Sequence, residues 1–391
     1  MLHGLYKTIN RGYHYLRAVR TEGPNYLIAF VTARCNLRCP HCFYLDEIEA
    51  AAKHRELTVD EYERISRNLP ALIQLTCTGG ETFLREDIGQ IVWAFYRNSG
   101  TRFVTLTTAG TLVDQTVKKV EEISRRCRNA VIKIPMSLDG VGPVHDKARG
   151  KPGTWERTIA CYKGLRKLAD RRDNVRLDIT TVLSKLNEEH IYETIEFVKS
   201  KMKIENHTIN FPRGAIRDPG RIIPDEMKYQ HLVDKTFDRR KRRYEFPLIS
   251  RVFVRIREVA ETVVVHTQQH GDLPFVCTAG ERFIELSEYG DVFPCEVLYT
   301  LIKNGQAHPH GAFDTCTMGN VRDHGYDIRR VMDHESGMRV RQFIQGKGCA
   351  CTFECAIQAT IALEPSNFRM MLRPPPRSPN GPLLWPTSSS S

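Results

Sequence analysis

Cys35, Cys39 and Cys42 fall within the run Cys35-Asn36-Leu37-Arg38-Cys39-Pro40-His41-Cys42. A [4Fe-4S] cluster normally takes four thiolates, so three from one loop leave a single iron open to a ligand from outside the protein. A structural zinc site closes instead with four ligands in paired short spacings. His41, held between Pro40 and Cys42, is too constrained to complete a tetrahedron with both neighbours. Three thiols so close together, in a sequence that opens without a signal-peptide arrangement, fit reduced intracellular cysteines better than disulfides. The spacing points to an iron-sulfur centre built for reaction.

A parallel sheet is expected to position this loop. Six runs read as strands: Tyr26 to Thr32, Leu72 to Cys77, Phe103 to Thr108, Val131 to Leu138, Val175 to Leu183 and Thr208 to Phe211. Helical patterns follow the first five, at Thr58 to Leu69, Asp87 to Asn98, Val113 to Arg126, Thr154 to Asp170 and Glu188 to Met202. The first of these carries a capping box, Thr58 with Glu61. Repeated strand-helix units return each strand beside its predecessor through right-handed crossovers. Cys35 follows the first strand, Gly79-Gly80-Glu81 the second, Gly110 the third and Asp139-Gly140 the fourth. All stand at carboxyl ends of strands, where barrels gather their chemistry.

The spacing C-x3-C-x2-C, followed by Phe43 and Tyr44, resembles the radical S-adenosylmethionine (SAM) enzymes, and further landmarks of that family follow in order to about residue 215. The resemblance implies a partial (β/α)6 TIM-type barrel within an α/β fold. It also implies a [4Fe-4S] cluster on Cys35, Cys39 and Cys42 whose open iron binds the amino and carboxylate groups of SAM. One electron then cleaves the sulfonium and yields a 5'-deoxyadenosyl radical. Gly79, Gly80 and Glu81 match the Gly-Gly-Glu motif that holds the amino group, and Ser137 and Arg149 match residues that bind the carboxylate, a charge-assisted contact. His41 and Phe43 are candidates for packing on adenine, with Phe211 a further one. Thr82 stands where the family usually has Pro, and Ala109 where Asn commonly precedes Gly110.

A second cysteine set follows. Cys277, Gly290 and Cys295 frame two short strand-like runs, Arg282 to Leu286 and Val292 to Phe293, and Cys349, Cys351 and Cys355 come later. The pattern resembles the auxiliary-cluster region called SPASM or its shorter relative, twitch. It implies one auxiliary [4Fe-4S] cluster on Cys277, Cys295, Cys351 and Cys355, with Cys349 as a substitute or nearby thiol, in a small C-terminal α+β domain. Four thiolates also suit zinc. Cys77, Cys127 and Cys161 lie inside strand or helix patterns and read as small buried hydrophobes, and Cys316 as a loop thiol.

The 391 residues exceed one ordinary core. The expected divisions are an amphipathic helix in 1–24, the barrel in 25–220, a helical connector in 221–270, the auxiliary region in 271–370 and a disordered Pro/Ser-rich tail in 371–391. No run of 18 apolar residues marks a membrane span, and a cytoplasmic enzyme is expected. The formal charge of +11 includes the run Arg239-Arg240-Lys241-Arg242-Arg243, read as a solvated helix face rather than a nucleic-acid stripe. Leu2, Leu5, Ile9, Tyr13 and Leu16 share helical spacing, which suits a membrane-surface helix or, preferred here, packing against the main domain. No membrane partner is expected. The resemblance implies a radical SAM oxidoreductase served by a one-electron donor such as flavodoxin or ferredoxin. Peptide maturases of this family often carry a leader-binding domain before the first cluster, and only 34 residues precede Cys35, which favours a small molecule, or a protein bound without such a domain, over a peptide taken by a maturase. A nucleic-acid-binding protein with structural thiolate sites is the rival reading. No general acid or base stands out.

Overall fold

Strand alternation builds the molecule around one sheet. The computed structural model describes residues 2–69, 71–224, 247–303, 316–367 and 370. The basic run at 239–243 and the tail at 371–391 lie outside them. Helix α1 (Leu2–Arg20) precedes β1 (Tyr26–Thr32), and five further parallel strands follow: β2 (Gln74–Gly79), β3 (Phe103–Leu106), β4 (Val131–Ser137), β5 (Val175–Val182) and β6 (Asn206–Asn210). After the cysteine loop come the short α2 (Leu45–Ala50) and then α3 (Val59–Asn68). The other crossovers carry α4 (Ile88–Asn98), α5 (Val113–Arg126), α6 (Pro143–Arg149), α7 (Thr154–Arg171) and α8 (Ile191–Lys201). The α3 capping box expected from Thr58 and Glu61 is formed.

Leu27, Leu75, Val104, Ile132 and Leu177 are buried on the helix-covered side of the sheet. Their neighbours along each strand point the other way, because side chains alternate with period two. Register aligns Ile28, Thr76, Thr105, Lys133 and Arg176 across five strands, and Asp178, Asn206, Thr180 and Thr208 continue the polar set on the same face. One face is thus an apolar core and the other a largely polar inner surface.

A hairpin of β7 (Phe283–Leu286) and β8 (Asp291–Phe293) joins the same sheet, with β7 pairing in parallel with β1. The order is β6-β5-β4-β3-β2-β1-β7-β8-β9, where β9 is Gly319–Asn320. Phe283 explains part of this: it is fully buried and meets Tyr26 edge-on, ring centroids 5.0 Å apart. The helix Pro247–His270 packs against the helix Glu354–Leu363.

Candidate metal centre and cofactor site

The cysteine loop springs from the carboxyl end of β1 and is tied down on several sides. Thr32 donates its hydroxyl to Glu56 at 2.5 Å, and Asn36 reaches Thr111 beyond β3 at 2.8 Å. Within the loop the Cys42 N–H donates to the Cys39 carbonyl at 3.0 Å. A Cβ at Gly150, just past α6, would lie 2.7 Å from the Arg38 carbonyl, so this helix end abuts the loop closely.

The three thiols are electrostatic neighbours. Burial raises the Cys42 thiol to about 12, with the charges of Cys39 and Cys35 adding to it. Cys35 rises to about 11 for the same leading reason. Thiolates so desolvated need a cationic partner, and the irons of a cluster supply one. Among the described residues no three His, Cys, Asp or Glu side chains are gathered as a single metal ion would require. A cluster asks for one thiolate per iron instead, and the donor set of three buried or half-buried thiols on one loop fits it.

Gly79 and Gly80 stand where expected, at the end of β2, but their immediate necessity is toward the cysteine loop. A Cβ would lie 2.3 Å from the Thr32 carbonyl at Gly79, which has φ +119°, and 2.2 Å from the Arg34 carbonyl at Gly80. The N–H groups of Gly80 and Glu81 donate to those same carbonyls at 2.8 and 2.9 Å. The Glu81 carboxylate is turned inward. It accepts from the Thr108 hydroxyl at 2.9 Å, the Ala109 N–H at 2.9 Å and the Phe83 N–H at 3.2 Å. Burial raises its pKa, and those donors oppose the rise. Both departures from the family pattern are absorbed: Ala109 contributes its backbone, and the Thr82 hydroxyl bonds the Cys77 carbonyl at 3.4 Å.

Arg149 is buried beside the loop, one guanidinium nitrogen 3.9 Å from Cys39 Sγ. Its Nε stands 2.8 Å from Asp139 Oδ2, an ion pair without the alignment of a hydrogen bond. The sequence marked Asp139 as a landmark ending the fourth strand but gave it no role. It is fully buried, accepts the Val182 N–H at 2.8 Å and approaches His41 Nε2 at 3.6 Å. Its place in Ser137-x-Asp139-Gly140 was the available signal. Burial lowers His41 to about 4, so the ring is neutral at neutral pH. Ser137 ends β4 half-buried, and Phe43 packs on the core. Phe211 follows β6, at one end of the sheet order, and packs on the core.

Within the second set, Cys277, Cys295, Cys349 and Cys351 act on one another. Cys277 and Cys295 flank the β7–β8 hairpin, and both feel the charge of Cys351. Cys349 hydrogen-bonds Cys351, which lowers the Cys351 thiol. Cys349 therefore stands with Cys277, Cys295 and Cys351. Cys355 instead sits among Arg213, Glu296 and Glu354. Helix geometry gives the reason. Thr360 faces Cys277, its hydroxyl 3.9 Å from that sulfur, and five residues at 3.6 per turn carry Cys355 about 140° round the helix. Arg213, just after β6, clamps this junction by pairing with Glu296 at 2.8 Å and Glu354 at 3.1 Å. Nothing in the spacing of these three residues announces their meeting.

Residues 30–198 match the family model described as Radical SAM superfamily. AdoMet-dependent heme synthase of Methanosarcina barkeri (strain Fusaro / DSM 804) is 29% identical over 74% of this chain and 81% of its own. The antilisterial bacteriocin subtilosin biosynthesis protein AlbA of Bacillus subtilis (strain 168) is 26% identical over 68% of this chain, which spans 53% of AlbA. Among solved structures, native anSMEcpe with bound AdoMet superposes with TM-score 0.54 at 15% identity, covering 89% of this chain and 99% of that one. Streptococcus suis SuiB bound to S-adenosylmethionine gives TM-score 0.52 at 17% identity, over 82% and 68%. These likenesses establish a fold shared with partial-barrel enzymes. The matched segment holds the three loop cysteines and the motifs ending β2 and β4, and residues 30–198 form a radical SAM domain, the kind found in enzymes that use a [4Fe-4S] cluster and SAM.

Proposed function

We propose that this enzyme is a radical SAM oxidoreductase that removes hydrogen from a polar small molecule held against the inner face of its sheet. Cys35, Cys39 and Cys42 would hold the cluster, with Gly79, Gly80, Ser137, Arg149, His41 and Phe43 around the nucleotide and Glu81 positioning the ends of β2 and β3. When bound, the cluster with SAM supplies a 5'-deoxyadenosyl radical that abstracts hydrogen. An auxiliary [4Fe-4S] cluster at the second cysteine set would take up the electron left on substrate. The observation that supports the reading is that one sheet carries the loop cysteines at the carboxyl end of β1 and Cys277 and Cys295 at the amino end of β7, with Thr76, Thr105, Lys133, Asp178 and Thr208 on its polar face. Lys133 pairs with Asp178 at 2.8 Å there and remains half exposed. A peptide substrate is the second reading, favoured by the identity to AlbA. A cytoplasmic setting with a flavodoxin or ferredoxin donor suits reduced thiols, and no helix among the described residues is long and apolar enough to cross a membrane.

Anaerobic reconstitution followed by a 5'-deoxyadenosine assay tests the proposal. Wild type should cleave SAM under reduction, Cys39→Ala should not, and Cys295→Ala should keep uncoupled cleavage while losing about one cluster of iron. Wild type with an intact reduced cluster and no 5'-deoxyadenosine would sink it.

A further inference from the structure

Helix α1 is mounted with its polar side inward. Lys7 is buried and pairs with Asp173 at 2.7 Å, the Arg11 Nε donates to the Asn129 carbonyl at 3.0 Å, and Arg102 bonds both Asn10 at 2.8 Å and His14 at 2.9 Å. Asn25 also donates to the Ala18 carbonyl at 2.8 Å. These ties fix the rotation of the helix. They leave Tyr6, Ile9, Tyr13 and Leu16 outward, exposed by 57, 62, 61 and 57%. At 3.6 residues per turn the four fall within an arc of about 80°, a continuous apolar stripe. Only three other large hydrophobic residues among those described are exposed, Tyr192, Val276 and Met338, and none lies on this helix.

An amphipathic helix that merely packed on its domain would bury this stripe and expose the lysine. The inversion requires an external apolar partner, and the charges indicate which. The helix contains no Asp or Glu. Arg17 and Arg20 are exposed in its last turn beside the stripe, and the chain as a whole carries +11. The first acid beyond it is Glu22. Aromatic and aliphatic side chains flanked by arginines match the boundary between headgroups and acyl chains of an anionic bilayer.

We propose that α1 docks this enzyme on an anionic membrane surface, with Tyr6, Ile9, Tyr13 and Leu16 entering the interface and Arg17 and Arg20 on the headgroups. Arg102, Asn129 and Asp173 precede β3, β4 and β5, so α1 crosses the amino ends of the strands. The cysteine loop stands at their carboxyl ends. Docking therefore holds the barrel mouth away from the bilayer, open to substrate and electron donor. The inference is independent of which reaction the enzyme performs.

Sedimentation of the 391-residue chain with vesicles decides it. Phosphatidylcholine vesicles containing phosphatidylglycerol should bind the protein at least tenfold better than phosphatidylcholine alone, and added salt should weaken binding. The pair Ile9→Gln and Leu16→Gln should lower partition tenfold or more, while Arg17→Gln and Arg20→Gln should each cost about fivefold. Tyr13→Trp removes nothing from the stripe and should show a blue-shifted emission on anionic vesicles. Equal partition to both vesicle types, or full binding by the Ile9/Leu16 variant, would overturn the proposal. So would a dimer seen by light scattering that this variant dissociates without any vesicle binding by wild type, which would assign the stripe to a second copy.

Discussion

His145 shows how one neutral side chain underwrites the cofactor site. It is fully buried, and its Nδ1 accepts the Asp139 N–H at 3.1 Å, fixing the residue that pairs with Arg149. Acceptance requires a bare Nδ1. Burial, reinforced by the Arg149 charge, lowers its pKa from 6.5 to about 4. The unfolded chain therefore binds this proton more readily between those values, so stability is complete above about 6.5 and falls as pH drops toward 4. The loss attributable to this ring approaches about 3 kcal/mol at the acid end. Urea unfolding at pH 7 and pH 4.5 should show it, and His145→Gln should flatten the difference; an unchanged pH slope in that variant would refute the assignment. The three loop cysteines were legible because their ligand chemistry lies within one short run. Asp139 was not, because its importance comes from Val182, His41 and Arg149, partners that only folding assembles.

At the scale of elements, the junction of β2 with the cysteine loop depends on two residues lacking side chains. The carbonyl of Arg34 would stand 2.2 Å from a Cβ at Gly80, and it is backbone, held by the Glu81 N–H. Gly80→Ala must push the loop and its cysteines outward, at a cost of about 1–3 kcal/mol. The variant should fold with its far-UV spectrum intact yet bind less iron after reconstitution than wild type; equal iron content would show that the loop tolerates the shift. Strand and helix positions were readable where periodicity is local, as in α5, which spans Val113–Arg126 as expected. β2 starts at Gln74 rather than Leu72 because Leu72 and Ile73 bond outside the β1 ladder, Leu72 to the Ser99 carbonyl and Ile73 to that of Asn25. Apolar character does not reveal where a ladder begins. The meeting of Cys355 with Arg213, Glu296 and Glu354 was likewise hidden, since it depends on where the helix Glu354–Leu363 starts.

For the whole molecule, the decisive feature is that the second cysteine set is built into the barrel sheet. Sequence alone suggested a small domain of its own, because residues 283–286 and 26–29 are too far apart in the chain for any local pattern to link them. Tyr26, Leu27, Ile28 and Ala29 pair with Phe283, Ile284, Glu285 and Leu286 in register, and Phe283 also meets Phe353 with centroids 5.8 Å apart. A chain ending after residue 270 would leave one side of β1 as an unpaired edge and uncover the ring of Tyr26, a template for aggregation. Such a truncation should yield little monomer by size-exclusion chromatography, whereas co-expression with residues 271–391 should recover it. A monodisperse, cooperatively unfolding 1–270 fragment would show instead that the barrel closes without the hairpin. The distinction bears on mechanism. If one sheet carries both thiol groups, the polar inner face between them keeps a fixed geometry through β1, and any motion that admits substrate must come from the loops at the strand ends.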